Sequence, residues 1–316
     1  NYINYVASDT LLYIFVANRK KQQLLAIPID TSFYSDIKKF RSLLSMPSRS
    51  ENARMAFDSF MITGYRLYKT IIEPVRPYLI SNKLLISPDN ILSYIPFETI
   101  PTSAASGNMI LYNQIAYMMN DFDISYTYSA TFIAESIKRG FSIRNKLIAF
   151  APNYPEPINI QSVLMNRQTG EGKLSDIPYA RLEAEYVSEI TDGKLYENYE
   201  AKESVYKTES GKYDIIHLAM HTILNDKDPM YSTLIFSSEN DSTNDRYLKT
   251  YEVYSIPLKA KMVVLSSCNT GAGLLYSGEG ILSLARGFIY SGSESVVMSA
   301  WEIEDRSGTE IVKRFY

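Results

Sequence analysis

The chain's scope for covalent chemistry rests on one thiol and two imidazoles: Cys268 is its single cysteine, and His217 and His221 are its two histidines. A cysteine with a pKa near 8.5 is only a few per cent thiolate at neutral pH, so it needs help to act as a nucleophile. A neighbouring imidazole supplies that help, taking the proton on attack and returning one to a leaving amine. Cys268 ends the stretch K-M-V-V-L-S-S-C, in which Met262 to Leu265 has the length and β-branched content of a buried strand. His221 ends a second such stretch, D-I-I-H-L-A-M-H, and precedes the polar T-I-L-N-D-K-D. A reactive group just past the carboxyl end of a buried strand is where open α/β sheets place their chemistry. We therefore read Cys268 as a nucleophile and His221 as its base. The main-chain N–H groups of Cys268 and Thr222 would then hold the oxyanion. The alternative is that Cys268 is one more small buried residue.

His217 has a different setting, in the middle of its apolar run, where an imidazole is packed and hydrogen-bonded. Four residues along a strand span about 13 Å, so the two histidines cannot share a metal ion, and no H-E-x-x-H frame is present. Neither a metal nor another cofactor is expected. Gly271, Gly273, Gly278 and Gly280 invite a nucleotide-binding reading that fails on inspection. Tyr276 stands where a dinucleotide fingerprint needs its third glycine, and Glu279 stands where a phosphate loop needs lysine. Glu279 also opposes a bound phosphate by its charge. The glycines instead let the backbone turn tightly behind the nucleophile.

The elements that must position these residues read as alternating strands and helices. Strands are expected at Leu11 to Ala17 with a hairpin partner at Leu24 to Ile29, then at Lys83 to Ser87, with Tyr94 to Ile100 extended. Ser125 to Thr131 reads as a strand end entering a helix over Phe132 to Ile137. Helical spacing runs from Phe33 to Leu44 and from Ala53 to Val75. A second unit opens at Lys146 to Phe150 and continues with strands at Asp214 to Met220, Leu234 to Phe236, Met262 to Leu265 and Ser295 to Ala300. Its helices are Ala180 to Ile190, with Leu182, Val187 and Ile190 inward and Gly193 as the stop, and Glu279 to Tyr290, stopped by Gly292. Pro152 to Asp176, rich in proline and glutamine, reads as a loop. This alternation argues for a mainly parallel sheet covered on both faces, built twice over. The chain is 46% hydrophobic and 21% charged with a net charge of -3, so nothing electrostatic favours nucleic acid or an anionic membrane. No apolar run reaches the roughly 20 residues that span a bilayer. A lone cysteine suits a reducing, cytoplasmic compartment. The first residue, Asn1, and the last, Tyr316, within a helical pattern, lead us to expect a piece of a longer protein. The 26 tyrosines read as lineage composition with some interface potential.

Several blocks together resemble the CHAT family, a caspase-like domain often attached to TPR repeats. They are L-L-I-S-P-D-N-I-L-S-Y-I-P-F-E-T-I (84–100), Y-A-R-L-E-A-E-Y-V (179–187), D-I-I-H-L-A-M-H-T (214–222), V-V-L-S-S-C-N-T-G (263–271) and, over 278–305, G-E-G-I-L-S-L-A-R-G-F-I-Y-S-G followed by V-V-M-S-A-W-E-I-E-D. The resemblance implies a caspase-like α/β three-layer sandwich with a mainly parallel sheet in two tandem halves. Residues 1–142 would be a degenerate pseudo-protease half, and 143–316 a catalytic half truncated at its C-terminus. Caspases and separase share that arrangement. It implies a cysteine endopeptidase whose dyad is His221 and Cys268; their spacing, 221 to 268, compares with the roughly 50 residues of the caspase pair. The implied partners are a protein or peptide substrate and TPR-type repeats elsewhere in the full-length protein, with no nucleic acid and no membrane. A competing expectation is a non-catalytic signalling or interaction module that binds protein partners.

Two places depart from the family pattern. Glycine usually follows the histidine, but here Thr222 does, and its Cβ crowds a substrate backbone. The S-A-W-E block is similar to the caspase stretch where a tryptophan lines the cleft and the next residue, arginine, pairs with a substrate aspartate. Trp301 matches that tryptophan, and Glu302 reverses the charge. With Asp305 nearby, the substrate-binding group Trp301, Glu302 and Asp305 is expected to prefer Arg or Lys over Asp, as in separase-like relatives. The alternative is that Glu302, Glu304 and Asp305 form a solvated acidic turn.

Overall fold

Alternation builds the first sheet. In β1 (Tyr2–Ala7) and β2 (Leu11–Ala17) every second residue, Ile3 and Tyr5, then Leu12, Ile14 and Val16, is buried, while Val6 and Tyr13 face outward. The computed structural model describes residues 1–45, 53–104, 110–138, 146–156, 158–159, 173–174, 176–225, 228–238, 244–266, 275–276, 280–281, 284–299, 303 and 305–316. These fall into two units: Asn1–Gly140 with Leu275–Gly280, and Phe141–Leu274 with Ile281–Tyr316.

In the first unit β1, β2 and β3 (Gln22–Pro28) form an antiparallel meander. Helices α1 (Thr31–Ser45) and α2 (Ala53–Ile71) follow, and then β4 (Lys83–Ser87), α3 (Met118–Asp121), β5 (Asp123–Tyr126) and α4 (Ala130–Lys138). Asp30 caps α1, its carboxylate accepting the N–H of Ser32 at 2.8 Å. The sheet order is β3-β2-β1-β4-β5, with β4 parallel to both β1 and β5. This sheet is therefore mixed rather than mainly parallel, because the hairpin connections of the meander permit only antiparallel neighbours. Phe33, Ile37 and Phe40 of α1 and Phe57, Phe60 and Leu67 of α2 complete its core with the inward side chains of β1 and β2. Gly64 lets α2 approach closely: a Cβ there would lie 2.5 Å from Pro101. The stretch expected to run extended, Tyr94 to Ile100, instead makes two short 3-10 turns, Asn90–Tyr94 and Phe97–Thr99. Ile95, Pro96 and Ile100 are extended as expected, Pro96 precedes the second turn, and Phe97 gives its N–H to the Tyr126 hydroxyl at 2.8 Å.

The second unit opens with β6 (Leu147–Ala151), β7 (Ile158–Asn159), β8 (Lys173–Leu174), α5 (Pro178–Thr191), β9 (Lys194–Glu197) and α6 (Glu203–Glu209). There follow β10 (Ile215–Leu218), β11 (Thr222–Ile223), β12 (Thr233–Ile235), β13 (Tyr247–Lys249), α7 (Thr250–Val253) and β14 (Met262–Leu265). Short strands β15 (Leu275–Tyr276), which is counted with the first unit, and β16 (Gly280–Ile281), then α8 (Leu284–Tyr290), β17 (Val296–Met298) and α9 (Asp305–Phe315), complete the chain. The main sheet has the order β17-β14-β10-β6-β9, with every neighbouring pair parallel. All five residues of β6 are buried, as both-face coverage requires. On one face Ile148, Phe150, Ile216 and Leu218 pack with Tyr206, Val253 and Phe288; on the other, Leu147, Ala149 and Ala151 meet Ala180, Ala184 and Val187 of α5. Each fully buried side chain of the size of Phe288 contributes about 1.5–3 kcal/mol.

Leu182 and Ile190 of α5 are 48% and 47% exposed, because the inward stripe is Ala180, Glu183, Ala184 and Val187, whose mostly small residues let the helix lie close on the sheet. The left-handed residue that ends α5 is Asp192 (φ 50°), while Gly193 sits against Leu147. The helix expected from Glu279 is described only from Leu284, and Gly280–Ile281 is a short strand. Within the expected 152–176 loop, β7 and β8 pair antiparallel. Gly292 does stop α8, at φ 117°.

Candidate active site

Chain order reverses across the sheet between β6 and β10: β9 lies to one side of β6, and β10, β14 and β17 to the other. At such a switch point the loops leave in opposite directions and open a crevice beyond the carboxyl ends of the strands. His221 follows β10 and Tyr154 follows β6, so both stand at this edge. β10 is held on both sides, the Ala219 N–H bonding to Phe150 O and the Ser266 N–H to Leu218 O, each at 3.0 Å. Ala219 and Met220 remain buried, and the next residue, His221, is half-buried.

At His221 the chain leaves the main sheet and enters a second one, β11-β12-β13, which is antiparallel. The carbonyl of His221 accepts the Ile235 N–H at 3.0 Å. Its own N–H goes to the Tyr154 hydroxyl at 3.1 Å, and that hydroxyl donates to Ile235 O at 2.7 Å. The Tyr154 ring lies 4.8 Å from the imidazole, tilted by 44°. Tyr154 is 3% exposed, and burial, the dominant cause, pushes its phenol well above its ordinary pKa, so it stays neutral. Its N–H is held by Asp176 at 3.1 Å, and Asp176 in turn lies 3.5 Å from Arg181. Thr222 opposes Leu234 in the ladder, one residue beyond the bonded His221 position. By the alternation of an antiparallel pair, its N–H points away from β12.

His217 has the other setting, as its place in the apolar run predicts. Strand alternation turns it away from Ile216 and Leu218 and toward α5. It is fully buried, with Nε2 3.0 Å from Glu183 Oε1 and Nδ1 3.4 Å from the Tyr316 hydroxyl. Burial foremost, and then the Glu183 charge, raise the Tyr316 pKa. Asp305 begins α9, and its carboxylate accepts the N–H of Tyr179 at 3.2 Å in the first turn of α5. Cys268, Trp301, Glu302 and Glu304 lie outside the described residues.

Tyr154 and Glu183 are the residues that sequence reasoning passed over. Tyr154 sat inside an expected loop, although three residues past the buried strand L-I-A-F-A was a legible signal. Glu183 was hidden because a charged residue on an inward stripe becomes intelligible only once His217 is known to face it.

Taken together, a parallel sheet covered by helices on both faces, with an imidazole at its carboxyl edge beside the switch point, defines a mixed α/β protein of the kind that carries chemistry at strand tips. The chain belongs to the CHAT domain family, which it matches over residues 62–316, a family of caspase-like, peptidase-related domains. No curated protein matches it at a significant level. Among the described residues, no helix is long and apolar enough to cross a membrane.

Proposed function

We propose that this chain is a caspase-like cysteine endopeptidase in which His221 takes the proton of the Cys268 thiol as the thiolate attacks a peptide carbonyl. The imidazolium then protonates the departing amine, and water releases the acyl group. The N–H groups of Thr222 and Cys268 hold the oxyanion, consistent with the direction of the Thr222 N–H. The observation that carries this reading is a register. β10 and β14 are adjacent and parallel with Leu218 opposite Leu265, and His221 and Cys268 each follow that pair by three positions in sequence. Membership of the CHAT family supports the same pair.

The finer parts of the reading follow from the resemblance. Residues 1–142 act as a pseudo-protease half and 143–316 as the catalytic half. Trp301, Glu302 and Asp305 select a basic residue in a cytoplasmic protein substrate, and TPR-type repeats in the full-length protein control access. A second reading, a non-catalytic interaction module, draws on Thr222 at the usual glycine position and on an exposed apolar row along α5, Tyr179, Leu182, Tyr186 and Ile190. A thiol-reactive peptide probe separates the two. Saturable labelling of Cys268 that is lost in His221→Ala supports the peptidase, whereas absence of labelling supports the module. In a fluorogenic panel, faster turnover of aspartate than arginine substrates rejects the basic preference.

A further inference from the structure

We propose that Tyr154 is the positioning residue for the His221 imidazole, an inference that rests on reading His221 as the base. Thr222 opposes Leu234 and Ile223 opposes Thr233, so His221 falls opposite Ile235. In an antiparallel ladder such a pair exchanges two N–H···O bonds or none. Here one bond is direct, from Ile235 N–H to His221 O at 3.0 Å. The reciprocal one is replaced by an inserted oxygen, with the Tyr154 hydroxyl accepting the His221 N–H at 3.1 Å and donating to Ile235 O at 2.7 Å. A phenol hydroxyl has one donor and spare acceptor capacity, so both backbone groups are satisfied while the ladder is wedged open at one residue.

That wedge has a purpose a bare ladder would not serve. Two strands pairing alone would close the His221–Ile235 bond and draw the His221 backbone toward β12. The phenol instead fixes His221 relative to the tip of β6, on the other side of the switch point. Tyr154 is itself anchored, being buried among Ile158, Ile223 and Ile235 with its N–H on Asp176. Its ring then bounds the imidazole at 4.8 Å, so one residue constrains both the main chain and the ring of the base. Catalytic geometry is sensitive to such placement, since a displacement of about 1 Å can cost on the order of 100-fold in rate.

Tyr154→Phe keeps the ring and removes only the inserted oxygen. In that variant we expect kcat to fall on the order of tenfold with KM unchanged. A second readout does not depend on activity. The chain has two histidines, so its imidazole spectrum by NMR contains two sets of signals, and loss in His221→Ala assigns them. In Tyr154→Phe the His221 amide and ring signals should move while those of His217 stay in place, which also reports an intact fold. Unmoved His221 signals overturn the proposal, and so do moved signals with kcat within twofold of the parent. Should the parent chain show no turnover, the peptidase reading fails, and the NMR arm still decides whether Tyr154 places His221.

Discussion

The interior of β10 and its carboxyl tip each carry a histidine, and the two imidazoles live in different chemistry. His217 is enclosed between the sheet and α5, against Glu183 and Tyr316. His221, four residues later, is half-buried at the switch point and held through its main chain and an aromatic ring. Residue type cannot account for the difference, since both are histidine on one run of chain. Position does. Within the strand, alternation hands the side chain to a helix layer that has already supplied a carboxylate. Past the strand, at His221, the backbone bonds to Ile235 and to the Tyr154 hydroxyl, and those groups aim it. Buried polar pairs such as the first are costly to break from one side, and half-buried groups at a strand tip can meet a substrate.

The strongest way to break this comparison is to remove each imidazole in turn. His221→Ala should lower kcat/KM by a factor on the order of a thousand, while leaving unfolding free energy within about 0.5 kcal/mol of the parent. His217→Ala should do the reverse. It strands Glu183 in the interior and costs about 3 kcal/mol in denaturant unfolding, with turnover per folded molecule retained. Turnover abolished in a folded His217→Ala protein would erase the distinction.

A smaller effect sharpens the interior side. Because burial raises the Tyr316 pKa, the folded state keeps that proton where the unfolded chain, near pH 10, gives it up. The folded state then binds more protons, so this contribution is fully present below pH 10 and is lost as pH rises through the raised folded value. Tyr316→Phe lacks that loss, so its stability relative to the parent should rise between pH 9 and pH 11 in denaturant titrations at the two ends of the range. The smallest effect probes the tip. Thr222→Gly removes a Cβ beside the expected substrate backbone and should raise kcat/KM by about fivefold, at a cost of about 1 kcal/mol in stability for a glycine in β11.

How much of this was legible depends on whether a signal is local. Met262–Leu265 is a strand bounded as its apolar run suggests, and the carboxyl-edge position of His221 followed from the run before it. Tyr2–Ala7 was passed over, although Ile3 and Tyr5 alternate inward, because Asn1 and Asn4 break the apolar content of the stretch. The inward face of α5 was misjudged because large apolar residues, Leu182 and Ile190, looked like core, while the sheet needed small ones and a partner for His217. The wedge of Tyr154 joins residues 154, 221 and 235, and no periodicity in the sequence connects them. Cys268, Trp301 and Glu302 remain readings of the sequence.

The central claim is that His221 tunes the thiol of Cys268, and a single cysteine makes that directly measurable. The rate of alkylation by iodoacetamide, followed against pH in the parent and in His221→Ala, reports the thiolate alone. The account predicts that the parent reacts with an inflection well below 8.5 and that removing the imidazole returns it to about that ordinary value. Identical profiles for the two proteins, both inflecting near 8.5, would contradict it.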